Sequence, residues 1–104
     1  MDTNWKNKLA VVTGASSGIG AATARRLARE GMRVALVARR LDRLETLAGE
    51  IRAAGGQAYP IPADLTQESD RARVFREIEE RFGGADVLVN NAGLGWYCYG
   101  AEMP

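Results

Sequence analysis

The chain has 104 residues, and its 14 basic and 13 acidic side chains leave a net charge of +1. Hydrophobic residues make up 46% and charged residues 26% of the sequence, which is typical of an ordinary globular domain. A charge this close to zero produces no long-range field, so neither a nucleic acid nor a membrane surface is an expected partner. Any anion site in this protein must therefore be built locally.

The absence of two further sequence signals excludes other classes of protein. No apolar run approaches the roughly 20 residues of a membrane span, and the first six residues lack the apolar block of a secretion signal, so we expect a cytoplasmic protein. Cys98 has no second cysteine and no histidine with which to bind a metal. We therefore expect no metal site and interpret Cys98 as a partly buried apolar side chain.

Strand-like and helix-like patterns alternate along the chain as βαβαβαβ. The first strand is predicted at about residues 8–13. The alanine-rich helix that follows is expected to end near Gly31, because glycine is common at helix C-termini. The face with which this helix would pack on a sheet is predicted to include Ile19, Ala22, Leu27 and Ala28.

The second strand and the second helix have the clearest patterns. Residues 33–38 are apolar and rich in β-branched side chains, as in a buried parallel strand. In the next segment apolar residues recur every three or four positions with charged residues such as Asp42 and Arg43 between them, and Gly55-Gly56 ends the run. The predicted core stripe of this helix consists of Leu41, Leu44, Leu47, Ala48 and Ile51.

The third strand is predicted at residues 57–61 and should lie at an edge of the sheet, because Pro60 cannot donate a ladder hydrogen bond. Thr66 is a candidate cap for a third helix, which Gly83-Gly84 ends before a fourth strand at residues 86–90. The predicted buried face of the third helix consists of Val74, Phe75, Ile78 and Phe82.

Strands joined by helices run parallel, so the pattern predicts an α/β fold. We expect a doubly wound parallel sheet of the Rossmann type, truncated to about four strands in the order 3-2-1-4 with three helices, as a single partial domain over residues 1–104. In that order a crevice opens beside the first strand, at the carboxyl ends of the strands. Polar and glycine residues follow every strand at this edge, which predicts a ligand site there.

A glycine-rich segment, Thr-Gly-Ala-Ser-Ser-Gly-Ile-Gly at residues 13–20, joins the first strand to the first helix. Its glycines allow the backbone to approach an anion closely, and the helix N-terminus offers free N–H groups and the positive end of its dipole. A dinucleotide pyrophosphate would bind at this position. The hydroxyls of Ser16 and Ser17 are interpreted either as phosphate donors or as helix caps.

Two arginines, Arg39 and Arg40, follow the second strand. A site for NAD usually has an acidic residue here, which accepts hydrogen bonds from the ribose 2′-hydroxyl. Guanidinium groups suit a 2′-phosphate instead, because their N–H donors form charge-assisted pairs with its oxygens. The sequence therefore predicts NADP as the cofactor; the alternative is that both arginines are solvated charges at the start of a helix.

Two further segments lie at the predicted crevice. Asp64 follows the third strand and either accepts a hydrogen bond from an adenine amino group, with Leu65 against the ring, or serves as a turn or cap residue. Asn-Asn-Ala-Gly at residues 90–93 follows the fourth strand, where it passes close to a cofactor or forms an ordinary turn.

Together these motifs resemble the short-chain dehydrogenase/reductase family over residues 8 to about 93, in the family's order. The resemblance implies that Arg39 and Arg40 contact the 2′-phosphate and that Asp64 and Leu65 contact the adenine. It places the pyrophosphate and ribose against Gly14, Ser16, Ser17, Gly18, Ile19 and Gly20. It also implies that Asn90, Ala92 and Gly93 stabilise the central strand and flank the adenosine ribose. Thr13 would connect the first loop to the turn that contains these residues.

Members of this family transfer a hydride between the nicotinamide and a carbonyl or alcohol substrate, while the tyrosine of a Tyr-x-x-x-Lys motif supplies or removes the proton. Here Tyr59, Tyr97 and Tyr99 are each followed four positions later by a residue other than lysine. We therefore expect the cofactor-binding part of an NADP-dependent oxidoreductase, with no catalytic residue within the chain and no turnover by the chain alone.

Two other classes of protein are alternatives to this one. A non-catalytic nucleotide-binding or oligomerisation module would complete its sheet by pairing with another chain, and a homo-oligomer is then an option. A fold that binds S-adenosylmethionine also uses a glycine-rich first loop, but it would need an acidic residue where Arg39 and Arg40 stand.

Overall fold

The computed structural model of the protein describes residues 5–91. Its elements are β1 (Leu9–Thr13), α1 (Gly18–Arg29), β2 (Arg33–Ala38), α2 (Leu41–Ala53), β3 (Gln57–Pro62), α3 (Glu68–Phe82) and β4 (Val87–Asn90). The four strands form one parallel sheet in the order β3-β2-β1-β4, which confirms the predicted topology. Ala92 and Gly93 of the predicted site, and Cys98, lie outside the described residues.

The sheet separates two layers of core. β1 lies between β2 and β4, and all five of its residues are buried. Successive side chains of a strand point to opposite faces, so neighbouring residues enter different layers. Ala10 and Val12 pack with α1 and α2, whereas Leu9 and Val11 pack with α3. This arrangement holds the carboxyl ends of β1, β2 and β3 side by side at one edge.

The packing face of α1 differs from the prediction. Gly20, Ala24 and Ala28 are its buried residues, and their spacing of four places them on one side of the helix. Ala28 was predicted correctly, but Ala22 is exposed and Ile19 is 74% exposed. Small residues on the buried side allow α1 to approach the sheet closely, which leaves Ile19 at the first turn facing away from the core.

The core stripe of α2 is confirmed except at its first residue. Leu44, Leu47, Ala48 and Ile51 are buried. Leu41 is 43% exposed because it opens the helix, one turn before the segment that covers the sheet. The helix ends at Ala53, and Gly55 has a φ of +94°, a left-handed conformation that favours glycine.

The start of α3 also differs from the prediction. Gln67, not Thr66, is the N-cap residue, and its side chain makes no capping hydrogen bond. The Thr66 hydroxyl instead donates to Asp64 Oδ1 at 2.6 Å, so it closes the turn before the helix. Within the predicted buried face, Val74 and Ile78 are buried, whereas the two phenylalanines are only partly covered.

β3 lies at an edge of the sheet, as Pro60 predicts: among the described residues it pairs only with β2, and Pro60 lies opposite Leu36. At the other side, Asp86 precedes β4 and fixes it to β1. Its carboxylate accepts from the Leu9 backbone N–H at 2.8 Å, and its own N–H donates to the Leu9 carbonyl at 2.9 Å. Within residues 5–91, no helix is long and apolar enough to cross a membrane.

Candidate functional site

A cleft of about 320 Å³ opens at the carboxyl ends of β1, β2 and β3. This is the edge at which doubly wound sheets bind their ligands. The lining residues come from the last two residues of β2 and from the segments that follow all three strands: Gly14, Ser16, Val37, Ala38, Arg39, Ala63, Asp64, Leu65 and Thr66. The fold therefore brings together the glycine-rich loop, the first arginine and the acidic residue that the sequence pointed to.

The glycines of the loop meet different requirements. Gly14 has a φ of +64°, which favours glycine. A Cβ on the buried Gly20 would overlap the Gly14 carbonyl oxygen, so the close approach of α1 to the loop needs glycine at position 20. Gly18 is exposed, has no positive φ, and a Cβ there would meet no atom within 4 Å. The folded chain itself therefore does not require glycine at position 18.

The two serines of the loop have separate uses. Ser17 is the N-cap of α1: its hydroxyl accepts from the Gly20 backbone N–H at 3.3 Å and donates to the Gly14 carbonyl at 2.9 Å. The capping interpretation is thus confirmed for Ser17. The side chain of Ser16 is half-buried and lines the cleft, which leaves its interpretation as a phosphate donor a prediction.

Arg39 and Arg40 are both exposed but have different surroundings. Arg39 lines the cleft, and within residues 5–91 it forms no ion pair. Arg40 is the N-cap residue of α2 and pairs with Asp42, with contacts of 3.2 Å from Nε to Oδ1 and 3.1 Å from Nη2 to Oδ2. The structure thus directs one guanidinium group to the cleft and commits the other to the start of a helix.

Asp64 closes a turn at the far side of the cleft. Its Oδ1 accepts from both the hydroxyl and the backbone N–H of Thr66, at 2.6 and 3.0 Å. These hydrogen bonds, and then the charge of Arg39, hold the pKa of Asp64 below its usual value. The turn interpretation is confirmed, and the carboxylate that lines the cleft is ionised at neutral pH. Leu65 is buried and presents an apolar surface beside it.

The end of β4 is bonded to the end of β1. The buried Thr13 hydroxyl donates to Asn90 Oδ1 at 2.9 Å and accepts from the Asn91 backbone N–H at 3.1 Å. This is the connection between the first loop and the fourth strand that the resemblance implied for Thr13. The Asn91 side-chain amide nitrogen is buried and has no hydrogen-bond partner among the described residues, and such donors usually bind water or a ligand.

A second depression, of about 270 Å³, lies between the β1–α1 loop and the facing sides of α1 and α2. We call it the α1–α2 groove. Its lining residues are Ala15, Ser16, Ala21, Arg25, Asp42, Arg43, Thr46, Leu47 and Glu50. Ser16 lines both the groove and the cleft. The sequence pattern assigned Arg43 only to the polar side of a helix, because spacing along one helix does not show which loop that side faces.

Comparison with known proteins decides the family. The short chain dehydrogenase family model matches residues 8–104. This chain belongs to that family. A farnesol dehydrogenase of Aedes aegypti is 48% identical over 91 residues, which cover 86% of this chain and 37% of that protein. Dehydrogenase/reductase SDR family member 11 of Homo sapiens is 45% identical over 92 residues, 86% of this chain and 35% of that protein.

Two solved structures with a similar fold contain a bound cofactor. A metagenomic short-chain oxidoreductase in complex with NADP matches with a TM-score of 0.84 and 45% identity, over 91% of this chain and 43% of that one. L-sorbose reductase from Gluconobacter frateurii, complexed with NADPH and L-sorbose, matches with a TM-score of 0.83 and 41% identity, over 92% and 37%. This chain thus spans less than half the length of each of these relatives.

Proposed function

We propose that this chain is the NADP-binding part of an oxidoreductase that reduces a carbonyl group or oxidises an alcohol by hydride transfer. The observation that carries the proposal is the cleft at the strand ends, which is lined by the glycine-rich loop and by Arg39, an arginine that forms no ion pair within residues 5–91. The NADP and NADPH complexes of the structural relatives support the choice of cofactor.

The residues of the cleft fit a phosphorylated dinucleotide. Glycine at position 18 is not needed by the folded chain, and its open surface at the N-terminus of α1 suits the close approach of a pyrophosphate. Arg39 suits the 2′-phosphate, and the neighbouring Arg40 is assigned to the same end of the cofactor, where it pairs with Asp42. The exposed Ile19 offers an apolar contact beside the loop. The pyrophosphate and the adjoining ribose are assigned to Gly14, Ser16, Ser17, Gly18, Ile19 and Gly20.

The remaining assignments concern the adenosine half of the cofactor. The ionised Asp64 accepts a hydrogen bond from the adenine amino group, and Leu65 packs against the ring. Asn90 flanks the adenosine ribose together with Ala92 and Gly93. The bound nicotinamide gives or receives the hydride, while the residues named here bind and orient the cofactor.

The chain is proposed to bind the cofactor without turning over substrate. Reduction of a carbonyl adds a hydride to its carbon and a proton to its oxygen, so an acid must stand at that oxygen. The sequence holds no histidine, and its two lysines, Lys6 and Lys8, precede β1. The proton-transferring group of the oxidoreductase is therefore assigned to residues outside this chain.

A non-catalytic nucleotide-binding or oligomerisation module is the second candidate. The observation that favours it is β4, whose four residues are only partly buried and which, among the described residues, pairs on one side only. A homo-oligomer formed through this edge would complete the sheet. Sedimentation separates the candidates, because a stable, concentration-independent dimer would favour the module, whereas aggregation or partial unfolding would favour the cofactor-binding part of a larger enzyme.

The direct test of the proposed function is a calorimetric titration of the folded chain with NADPH and NADH, followed by assays with a panel of ketones and aldehydes. We expect NADPH to bind more tightly than NADH and no turnover by the chain alone. Equal affinities would contradict the NADP assignment. Clear rates from the purified 104-residue chain would contradict the assignment of the proton-transferring group.

A further inference from the structure

The α1–α2 groove and the cleft meet at Ser16, which lines both. Arg39 lines the cleft and Arg43 lines the groove, so each of these arginines shares a depression with Ser16. A phosphate group beside Ser16 would therefore have a cation available from either side. The charges of these arginines matter only if other residues do not already neutralise them.

Most basic side chains near the groove are already paired. Arg25 Nη2 lies 2.8 Å from Glu50 Oε1, and Arg40 pairs with Asp42 through two contacts. Arg43 is exposed on the first turn of α2 and forms no ion pair within residues 5–91. Among the described residues, Arg43 is thus the one basic side chain lining the groove that forms no ion pair, and it shares that groove with Ser16 of the loop.

Asp42 is the charge that would oppose an anion here. It lines the same groove as Arg43, and the hydrogen bonds from Arg40 hold its pKa below the usual value, so it is ionised at neutral pH. A phosphate close to an unpaired carboxylate would be repelled. The Arg40–Asp42 pair removes this repulsion, which gives Arg40 a function even though it does not line the cleft.

We propose that Arg43 is a specificity-determining residue that holds the 2′-phosphate of NADP together with Arg39, and that Arg40 is a positioning residue that acts by neutralising Asp42. This inference rests on the proposed function. It adds Arg43, which lies on α2, to Arg39, which directly follows β2, as a contact of the 2′-phosphate. A phosphate between two guanidinium groups gains charge-assisted hydrogen bonds that a ribose hydroxyl does not.

The test uses two ligands that differ only in the 2′-phosphate, adenosine 2′,5′-bisphosphate and adenosine 5′-monophosphate, titrated against the protein as its gene encodes it. We expect Arg43→Gln to weaken binding of the bisphosphate by about ten-fold and binding of the monophosphate by less than two-fold, because only the bisphosphate loses a charge-assisted hydrogen bond. Arg43→Lys, which keeps the charge, should lose less. The control is Arg76→Gln, at an exposed arginine of α3 with no ion pair in the described region.

Each outcome has a distinct meaning. If the wild type does not prefer the bisphosphate, the proposed function itself fails. If the wild type prefers it and Arg43→Gln keeps the same preference, or loses both ligands equally, only the role of Arg43 is overturned. Circular dichroism and thermal unfolding check that each variant is folded, which is expected because residue 43 is exposed.

The role of Arg40 is tested by a second substitution. Arg40→Ala should reduce the preference for the bisphosphate several-fold, because it leaves the Asp42 carboxylate unpaired in the groove. Adding Asp42→Asn should then restore most of that preference. If the double variant binds the bisphosphate no better than Arg40→Ala, Arg40 does not act through Asp42 and this part of the inference is overturned.

Discussion

The β1–α1 loop and the β2–α2 junction lie on neighbouring strands but use their side chains differently. In the loop, the Ser17 hydroxyl caps α1 and Gly20 permits a close backbone approach, so the backbone, the open space at Gly18 and the side chain of Ser16 remain for a ligand. At the junction, Arg39 and Arg43 keep exposed guanidinium groups that no ion pair within residues 5–91 occupies. From this comparison we expect the loop to accept either dinucleotide and the junction to distinguish between them.

The largest expected effect is on the stability of the β1–α1 loop. Gly20→Ala places a methyl group against the Gly14 carbonyl oxygen, which forces α1 away from the loop. We expect the free energy of unfolding to fall by about 2–3 kcal/mol, as in other overpacked sites. Urea unfolding measures it. An unchanged midpoint would show that the loop tolerates the displacement and that Gly20 is not structural.

Gly18→Ala is the matched control within the same loop. It should affect cofactor binding and leave the stability nearly unchanged. The added methyl group meets no atom of the chain, so the stability should change by less than about 1 kcal/mol. Binding of NADPH and NADH should weaken together, by about ten-fold, because the methyl group would keep the pyrophosphate from the helix N-terminus. Calorimetry on the folded variant measures both. Unaltered affinity for both would contradict a ligand at position 18.

The smallest effect concerns Asp64, whose carboxylate interacts with the charge of Arg39. Its pKa is lowered in the folded state, so its contribution to stability is present above its unfolded value of about 3.9 and is lost as the pH falls through the folded value. The stability difference between the wild type and Asp64→Asn should therefore shrink below about pH 4. Urea midpoints between neutral pH and pH 3 measure this, and a difference independent of pH would contradict it.

The sheet could be predicted because its signals are local. Apolar runs marked the four strands, and Pro60 correctly indicated an edge. The packing face of α1 could not be predicted in the same way. Ile19 is the most hydrophobic residue of its first turn, yet the close contact between helix and sheet needs Gly20, Ala24 and Ala28 instead. When a helix packs through small residues, its larger apolar side chains do not mark the buried face.

The sequence predicted which residues lie near the site but not where their side chains point. Arg39 and Arg40 are adjacent and identical in type, and only the turn from strand to helix sends the first to the cleft and the second to Asp42. In the same way, Thr66 is a good capping residue, but its hydroxyl bonds to the preceding Asp64. Such choices depend on backbone geometry that spacing does not encode.

The central claim is that a guanidinium group at the end of β2 selects NADP, and Arg39→Asp tests it most directly. The experiment is a titration of the wild type and the variant, each as its gene encodes it, with NADPH and NADH. We expect the variant to lose about 100-fold in affinity for NADPH, since an attractive pair becomes a repulsive one, and to lose little for NADH. Equal losses for the two cofactors would contradict the account.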